Sequence, residues 1–551
     1  MEPVVAHLHT YFLFPFSIDR DVVLEEHSEL WAGSSHWIAG LDRWIAAHDK
    51  SSNGLTSRFA TWRRAPYSRF DRESQAYADM VFFHPFVRRV FFDTTNMCSA
   101  EEQESLLRTY DMPTEGRGLQ LTAADARGRT STVDVTDVRL FLFANGIGVL
   151  TLGVEATGRP LDEVLWINEQ MRKVYPSSGR QLREGRVPCL VKLTMGEEQT
   201  VLVEERFETG AMRDFLPPLS KLITSLLYFT DYDRQEYEPV LDERMIVYTY
   251  VALDPDSLPK GITSAEEYQI LFSRILYVDR LGTNYRYDPA FTRDRMNEHV
   301  YRRWAHQGTL YGFTSYSSAT LALGTFDCDN HLLREGFLIH RMFDTRYYLM
   351  AVVALFYRAT VLDFAERTAL TSKRLYNDYE DGKYSAENIA MVGGLRAQFL
   401  HFSNYWHFDE LANKDEEIEH FEMMCRVYRI APMKAEIENE VEKLNSMLTE
   451  YYTRQSTEAV NRLAVVSMVL GAGAVVTGFF GMNFGERFGA VFFQPAGNKL
   501  AHWAAIGGVS LFALGALSFA GYLLIANWSD YRSILVPGAL RQSQRSLRKF
   551  G

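Results

Sequence analysis

The tripeptide Gly481-Met482-Asn483 contains the residue types in this sequence that point most directly to a chemical task. Mg²⁺ holds its water molecules tightly and requires octahedral geometry, so a site that must release the ion suits neutral oxygens better than carboxylates. Asn483 offers a neutral amide oxygen, and Gly481 allows the backbone to leave a helix so that carbonyl groups can face an oligomer axis. The alternative is that Gly481 ends a helix and Asn483 belongs to an ordinary turn.

Two apolar segments without charged side chains lie on either side of this tripeptide. Residues 463–480 are long enough to cross about 27 Å of hydrocarbon as a helix, and residues 503–526 are longer. The tail beyond residue 526 carries five basic side chains against the acidic Asp530. By the positive-inside rule this tail is cytoplasmic. Two crossings would then leave residues 484–499 as a short external loop and the N-terminal part in the cytoplasm.

The helix that leads into the first apolar segment is predicted to be long. Between Pro432 and Gly471 the chain has neither proline nor glycine. Alternating spacings of four and three residues form an apolar seam of Ile437, Val441, Leu444, Leu448 and Tyr451. We therefore expect one helix over residues 432–480, about 73 Å long, whose lower part is a cytosolic stalk. Because an apolar seam needs neighbouring helices, the stalk predicts an oligomer.

The first third of the chain is predicted to be a mixed α/β domain. Residues 138–143 and 147–154 are β-rich and flank Asn145-Gly146, which is typical of a hairpin. Further strands are predicted over residues 10–16, 89–92, 187–195 and 245–253. Because residues 10–16 include Pro15, we expect that strand to lie at a sheet edge. Residues 161–174 are compatible with a helix. The apolar run 347–357 is about half a membrane span, so it predicts a buried helix.

Composition and missing motifs narrow the possible functions. The 551-residue chain has a net charge of −12, which argues against nucleic-acid binding and suits a protein that attracts cations. The four cysteines lie far apart in the sequence, at Cys98, Cys189, Cys328 and Cys425. This spacing predicts reduced thiols. The first residues predict neither a signal nor a transit peptide. The sequence has no Walker A, HExxH or G-x-S-x-G motif, so we expect no enzymatic activity.

The last fifth or so of the chain resembles the CorA family of magnesium channels. The resemblance consists of the long helix, the two apolar segments and the tripeptide between them. The resemblance implies a homopentamer whose first membrane helix lines the pore and whose N-terminal α/β domain senses intracellular Mg²⁺. It assigns the selectivity filter to Gly481, Met482 and Asn483. The chain departs from the family pattern at Phe480, where tyrosine is usual, and in the external loop, which lacks the common Met-Pro-Glu-Leu stretch.

The same resemblance suggests further residues along the pore. Thr457 falls at a pore-facing position near the cytoplasmic mouth, and Leu463 falls at a hydrophobic constriction. Ala474 is a pore-lining candidate where relatives often have a bulkier or hydroxyl-bearing residue. Glu486 is a candidate for negative charge at the entrance, although a solvated loop charge explains it equally well.

The sequence thus predicts a CorA-like fold, in which an α/β cytoplasmic domain is followed by a long stalk helix and two C-terminal transmembrane helices. The predicted domains are residues 1–337 (cytoplasmic α/β domain), 338–462 (helical region and stalk), 463–526 (transmembrane domain, with helices 463–483 and 501–526 and external loop 484–499) and 527–551 (basic cytoplasmic tail).

The expected function is passive Mg²⁺ uptake by a multi-pass protein of the plasma membrane with both termini in the cytoplasm. Mg²⁺ is the expected cargo and a candidate regulator, and no cofactor is expected. The predicted partners are divalent cations, membrane lipid and further copies of the chain in a homo-oligomer, but no nucleic acid. One alternative is a zinc, cobalt or nickel transporter on the same fold. The other is a non-conducting, membrane-anchored sensor or scaffold.

Overall fold

The structure, a computed structural model, describes most of the chain up to residue 481 and scattered positions beyond it. The described residues are 2–32, 37–49, 62–66, 81–93, 105–175, 179–207, 218–241, 244–258, 265–279, 288–323, 335–381, 384–481 and nine positions between 500 and 522. The chain forms two compact units: unit 1 comprises Met1–Thr368 and Ala397–Glu438, and unit 2 comprises Ala369–Arg396 and Asn439–Gly551.

Unit 1 is built on a mixed sheet of thirteen strands. They are β1 (Val4–Ile18), β2 (Arg63–Arg64), β3 (Leu107–Met112), β4 (Leu119–Asp125), β5 (Thr130–Phe143), β6 (Ile147–Pro160), β7 (Pro188–Met195), β8 (Thr200–Arg206), β9 (Tyr237–Pro239), β10 (Ile246–Leu253), β11 (Val300–Tyr301), β12 (Leu310–Phe313) and β13 (Ser317–Leu323). The order across the sheet is β11-β12-β13-β10-β1-β6-β5-β4-β7-β8, with β9 beside β1, β3 beside β5, and β2 beside β3. Strands β10 and β13 are parallel, and the other described pairs are antiparallel.

The described α-helices are α1 (Arg20–Glu26), α2 (Leu41–Asp49), α3 (Pro85–Phe91), α4 (Leu161–Met171), α5 (Gly179–Arg183), α6 (Lys221–Leu226), α7 (Ala265–Tyr277), α8 (Pro289–His299), α9 (Glu335–Met342), α10 (Tyr348–Asp381), α11 (Ala386–His401), α12 (Asp415–Val427) and α13 (Ile430–Gly481). Short 3₁₀ turns occur at Ser28–Trp31, Trp37–Gly40, Pro255–Ser257 and Ala305–Gln307, and π-helical turns at Phe343–Tyr347 and Phe402–Trp406.

Strand β1 lies in the middle of the sheet, between β10 and β6. Successive side chains of a strand point to opposite faces. Leu8 and Phe12 therefore share one face, where they join the main hydrophobic cluster together with Trp166 of α4. His9 and Tyr11 point to the other face, where the Tyr11 ring centroid lies 4.4 Å from that of Tyr348 in α10. The sheet thus has a mainly apolar face, which also buries Thr10, Thr249 and Asn168 in mutual hydrogen bonds, and a second face on which polar side chains meet α9 and α10.

The predicted edge position of residues 10–16 is wrong, because β1 is paired on both sides. Proline is tolerated at position 15 because pairing with β10 has already ended at Leu13. The Pro15 carbonyl accepts a hydrogen bond of 3.1 Å from the Val240 backbone N–H, which lies on the side that a proline N–H would face. Residue 15 thus falls between the ladder with β10, which ends at Leu13, and the ladder with β9, which begins at Phe16, and this explains why proline is tolerated in the strand.

Several other local predictions are confirmed, and a second one is wrong. The hairpin is present as β5 and β6, with Gly146 of its turn at a φ of 98°. Strands β7 and β10 and helix α4 cover the other predicted segments. The exception is the strand predicted over residues 89–92, most of which belongs to α3. Pro85 stands in the first turn of that helix, where its fixed φ favours helix initiation.

The apolar run 347–357 is confirmed as a buried helical segment. Within α10, Phe356 and Tyr357 are fully buried. Phe356 stacks on Phe143 of β5 with the ring centroids 4.0 Å apart. Aromatic pairs of this kind add about 0.5–1.5 kcal/mol to the free energy gained from burial alone. Helix α10 is therefore a core element of unit 1.

The predicted CorA-like fold class is wrong for this chain. The dominant element is the thirteen-stranded sheet, and within the described residues one helical stretch, Ile339–Glu380, has the length and apolar composition of a membrane span. Its most apolar window is 72% buried inside the protein. This contradicts both the two C-terminal transmembrane helices after a stalk and the multi-pass location in the plasma membrane. The physical reason is that a helix apolar on all sides suits a protein core as well as a bilayer.

Unit 2 contains most of α13, a helix of 52 residues that covers the whole range predicted as continuous helix. The seam residues Ile437, Val441, Leu444 and Leu448 are all buried within the single chain. In unit 2, Leu444 and Leu448 pack against Leu375 of α10 and Val392 of α11. Neighbouring helices of the same chain therefore cover this part of the seam. It gives no separate argument for an oligomer, which stays a prediction.

Candidate metal centre

Three polar side chains of β1 share the face of the sheet that meets α9. They are His7, His9 and Tyr11, at alternate positions of the strand. In the neighbouring strand β6, Glu155 lies directly opposite His9, and on the other side Tyr250 of β10 does so. The central position of β1 thus places two imidazoles and a carboxylate on one surface of unit 1.

Helix α9 contributes a third imidazole from above this surface. His340 Nε2 lies 2.9 Å from His9 Nδ1, although the two residues are 331 positions apart in the chain. The ring centroid of His340 is 4.7 Å from that of His7 and 5.1 Å from that of His9. One oxygen of Glu155 completes the group. Its Oε1 atom is 3.4 Å from His9 Nδ1, 3.6 Å from His7 Nε2 and 3.9 Å from His340 Nε2.

These four separations are close to the spacing between the ligands of a zinc ion. Zn²⁺ binds histidine nitrogen and carboxylate oxygen at about 2.0–2.1 Å, so the ligand atoms of a tetrahedral site are about 3.3 Å apart. The observed separations of 2.9–3.9 Å lie on either side of that value. The ligand atoms of His7, Glu155 and His340 all lie within 4.8 Å of one another. We call His7, His9, Glu155 and His340 the histidine cluster.

Burial favours the metal-binding protonation states of the histidine cluster. It lowers the pKa of His9 to about 3 and also lowers the pKa of His340. Burial alone would raise the pKa of Glu155, but the hydrogen bond from His7 and the nearby imidazoles outweigh it and lower that pKa. At neutral pH, His9 and His340 are therefore neutral imidazoles and Glu155 is a carboxylate, which are the forms that bind metal ions.

A second polar network lies next to the cluster, around the Tyr11 hydroxyl group. This hydroxyl is 2.8 Å from Asp137 Oδ2 and also contacts Asp344 Oδ1. Burial raises the pKa of Asp137 to about 6, against the opposing effect of Arg139, whose Nη2 atom is 3.5 Å from Asp137 Oδ2. His9, Asp137 and Asp344 also place ligand atoms within 4.8 Å of one another. Because the Tyr11 hydroxyl and the Arg139 guanidinium already contact the Asp137 carboxylate, we interpret this group as a hydrogen-bond network that stabilises β1.

A third group of potential ligands, Glu26, His27 and Glu236, is already engaged in protein contacts. Glu236 is buried and accepts hydrogen bonds from the Thr230 hydroxyl at 3.1 Å and the Asp231 backbone N–H at 2.7 Å. Glu26 pairs with Arg234 at 3.2 Å. These contacts explain the carboxylates as loop-stabilising groups, so the histidine cluster is the stronger candidate.

The residues predicted from the sequence to act on ions are not part of this cluster. Thr457 and Leu463 are exposed on α13, and the Thr457 hydroxyl donates a hydrogen bond of 2.8 Å to the Thr453 carbonyl of its own helix. Ala474 is also exposed on α13, and Gly481 is the last residue of that helix. The remaining predicted residues, Met482, Asn483 and Glu486, lie outside the described residues.

Sequence reasoning missed the histidine cluster, although one signal was present. His7 and His9 alternate just before a segment predicted as a strand, and this spacing places both imidazoles on one face. The strand was predicted to begin only at residue 10. Nothing in the local sequence connects either residue with Glu155 or His340, because strand pairing and the docking of α9 create those contacts.

Comparisons with protein-family models, with curated proteins and with solved structures found no match for this chain. The resemblance to the CorA family therefore stays a prediction.

Proposed function

We propose that this protein is a sensor of divalent transition-metal ions, with Zn²⁺ as the foremost candidate, and that the histidine cluster is its binding site. One observation carries the proposal: three imidazoles from a strand and a helix converge within 3.4–3.9 Å of a single carboxylate oxygen, Glu155 Oε1. A metal ion would satisfy all four side chains together.

The ligand types favour zinc and similar ions over magnesium. Imidazole nitrogen suits Zn²⁺, Cu²⁺, Ni²⁺ and Fe²⁺, whereas Mg²⁺ and Ca²⁺ take oxygen ligands. His7, Glu155 and His340 offer two nitrogens and one carboxylate, and His9 Nδ1 lies 3.4 Å from the same carboxylate oxygen. Of the ions considered from the sequence, the zinc, cobalt and nickel group therefore fits this site better than Mg²⁺.

The position of the ligands suggests how binding would be sensed. His7 and His9 belong to β1 and Glu155 to β6, whereas His340 belongs to α9. An ion held by all of them links the sheet to the helix that precedes α10. Because the ion binds only when these elements are together, its binding free energy adds to the stability of that packing. Occupancy would thus change how firmly α9 is held.

The test is a measurement of Zn²⁺ affinity by competition with a chromophoric chelator. We expect His9→Ala and His340→Ala each to weaken Zn²⁺ binding by about 100-fold or more, because even the loss of an outer-shell partner of a metal ligand costs 10–100-fold. His306→Ala is the matched control, since His306 is exposed and lies outside the cluster. Millimolar Mg²⁺ should not compete. Equal losses in all three variants, or no Zn²⁺ binding by the parent protein, would show that the assignment is wrong.

Mg²⁺ transport through Gly481-Met482-Asn483 is retained as a second proposal. It draws support from one observation, the continuous helix α13, whose described part reaches Gly481; a long helix without a role in transport has the same appearance. Mg²⁺ influx into liposomes containing the purified protein separates the two interpretations. Asn483→Ala should abolish influx if the asparagine orders the water shell of the ion, whereas Asn498→Ala should not. Unchanged influx in Asn483→Ala would exclude the filter.

A further inference from the structure

A cavity of about 550 Å³ lies in unit 1, and none of its lining residues belongs to the histidine cluster. It is formed by the C-terminal end of α4, by α5 with the residues that follow it, and by the residues at the end of α7. Five basic side chains line it: Arg127, Arg172, Lys173, Arg186 and Arg244. Ligand pockets for small molecules are typically about 300–1,000 Å³, so its size suits a molecule such as a nucleotide.

The cavity is positively charged in a protein that is acidic overall. Its lining has an excess of two positive charges, whereas the whole chain has a net charge of −12. Glu169 contacts Arg172 and lies 3.0 Å from Lys173 Nζ, so one carboxylate serves two cations. Burial lowers the pKa of Lys173, and the nearby Arg244 lowers it further against the effect of Glu169. An anion would relieve this concentration of positive charge.

Buried polar atoms of the lining lack hydrogen-bond partners among the described residues. They are Arg172 Nε, Gln170 Oε1 and Asp279 Oδ2. Arg172 is only 4% exposed and Gln170 only 1%. A buried donor or acceptor without a partner costs about 1–3 kcal/mol. A donor and two acceptors at one cavity match a ligand that carries acceptor oxygens together with hydroxyl or amino groups.

The backbone beside the cavity is strained. Val278, which lines it, has a φ of 55°, a left-handed conformation that is unusual for a β-branched residue. Such conformations cost about 1–3 kcal/mol and occur preferentially at ligand sites. Here the strained residue directly precedes Asp279, so the turn orients that carboxylate.

We propose that this cavity binds a nucleoside diphosphate or a closely similar phosphorylated metabolite. Arg172, Lys173 and Arg186 would hold the phosphate oxygens, because guanidinium and ammonium groups form charge-assisted hydrogen bonds with phosphate. Asp279 accepts a hydrogen bond from a hydroxyl or amino group of the nucleoside. Val187 and Tyr277 supply apolar surface for the remainder of the ligand.

The test is isothermal titration of the full-length protein with ADP, pyrophosphate and adenosine. A chelator present throughout keeps metal ions from bridging the phosphates and makes the result independent of the histidine cluster. We expect ADP to bind about tenfold or more tightly than pyrophosphate, and adenosine to bind at least about 100-fold more weakly than ADP. Absence of ADP binding at millimolar concentration overturns the proposal. Equal affinities for ADP and pyrophosphate overturn the assignment of a nucleoside ligand.

Two variants test the site with a closely matched control. Arg186 is 69% exposed and pairs with Glu184 at 2.9 Å, while Arg206, outside the cavity, is 68% exposed and pairs with Glu204 at 3.2 Å. We expect Arg186→Gln to weaken ADP binding by about 3–10-fold and Lys173→Met by more, with Arg206→Gln unchanged. Because Arg186 is exposed, its replacement leaves the fold intact. Equal effects of Arg186→Gln and Arg206→Gln would exclude the cavity as the binding site.

Discussion

His9 is the residue on which the proposed metal centre depends. Its Nδ1 atom faces His340 Nε2 at 2.9 Å, and two neutral imidazoles at this distance must share one proton as donor and acceptor. A metal ion would take the place of that proton. Because a neutral imidazole can carry its proton on its other ring nitrogen, binding at neutral pH requires no proton release; it should weaken once the pH falls far enough to protonate the imidazoles.

His420 is a second buried histidine, and no imidazole among the described residues is hydrogen-bonded to it as His340 is to His9. It is 1% exposed, and its ring centroid lies 4.5 Å from those of Tyr301 and Tyr311. Its Nε2 atom is buried and has no hydrogen-bond partner in the part of the chain that the structure describes. Burial lowers the pKa of His420 to about 3, so the ring stays neutral in the folded protein.

This burial makes His420 a source of acid sensitivity. The unfolded chain binds a proton at about pH 6.5, whereas the folded protein does so only near pH 3. Stability from this residue is therefore complete above pH 6.5 and is lost as the pH falls towards 3. At pH 5 the loss is about 2 kcal/mol. His420→Phe should remove this part of the pH dependence in urea unfolding at pH 7 and pH 5. His306→Phe, at an exposed position, should not, and parallel profiles for all three proteins would contradict the prediction.

At the scale of elements, the seam of α13 shows that an apolar stripe does not reveal its partner. Leu444 and Leu448 pack against Leu375 and Val392 of the same chain. The Tyr384 ring, which precedes α11, also contacts Tyr451 of α13 with centroids 4.8 Å apart. The stripe correctly predicted that neighbouring helices exist. It could not distinguish helices of the same chain from helices of another copy.

Leu444→Asp should therefore destabilise unit 2 in each single chain. Leu444 is 6% exposed, so aspartate would place an unpaired charge in an apolar contact at a cost of about 3–5 kcal/mol. Met447, which is 46% exposed on the same helix, provides the control substitution Met447→Asp with little expected cost. Urea unfolding measures both variants, and the loss should not depend on protein concentration. A loss that disappears at high protein concentration would favour an interface between copies instead.

At the scale of the whole molecule, the long sheet brings together distant parts of the chain. Strand β1 pairs with β6 and β10, and α9 reaches the same surface from beyond residue 334. The histidine cluster thus joins segments whose association depends on the complete fold of unit 1. Its occupancy should consequently be detected in the global stability of the protein.

Zn²⁺ at a free concentration of 100 times its dissociation constant should stabilise the folded protein by about 2.7 kcal/mol. The measurement is urea unfolding with and without buffered Zn²⁺. The same comparison with His9→Ala, which removes the Nδ1 ligand atom and is expected to weaken binding by about 100-fold, should show a stabilisation of only about 0.4 kcal/mol. If Zn²⁺ stabilises this variant as much as the parent protein, the ion binds elsewhere.

The sequence by itself determined the local elements whose patterns lie within one short segment. The hairpin of β5 and β6 follows from Asn145-Gly146 between two β-rich runs, and α4, the buried run of α10 and the course of α13 follow from periodicity and composition. Each of these patterns depends on residues a few positions apart. Turn geometry and side-chain alternation act at that range.

Only the tertiary structure decided which surfaces those elements cover and which side chains meet. Apolar composition suits a protein core and a bilayer alike, and only the structure shows that the span-like stretch among the described residues, Ile339–Glu380, is largely buried inside the protein. The central position of β1 depends on pairing with strands far away in the sequence. The contact between His9 and His340, 331 positions apart, exists because α9 docks on the sheet. Packing over such separations leaves no local pattern, and this is why the candidate metal centre could be found only in the folded chain.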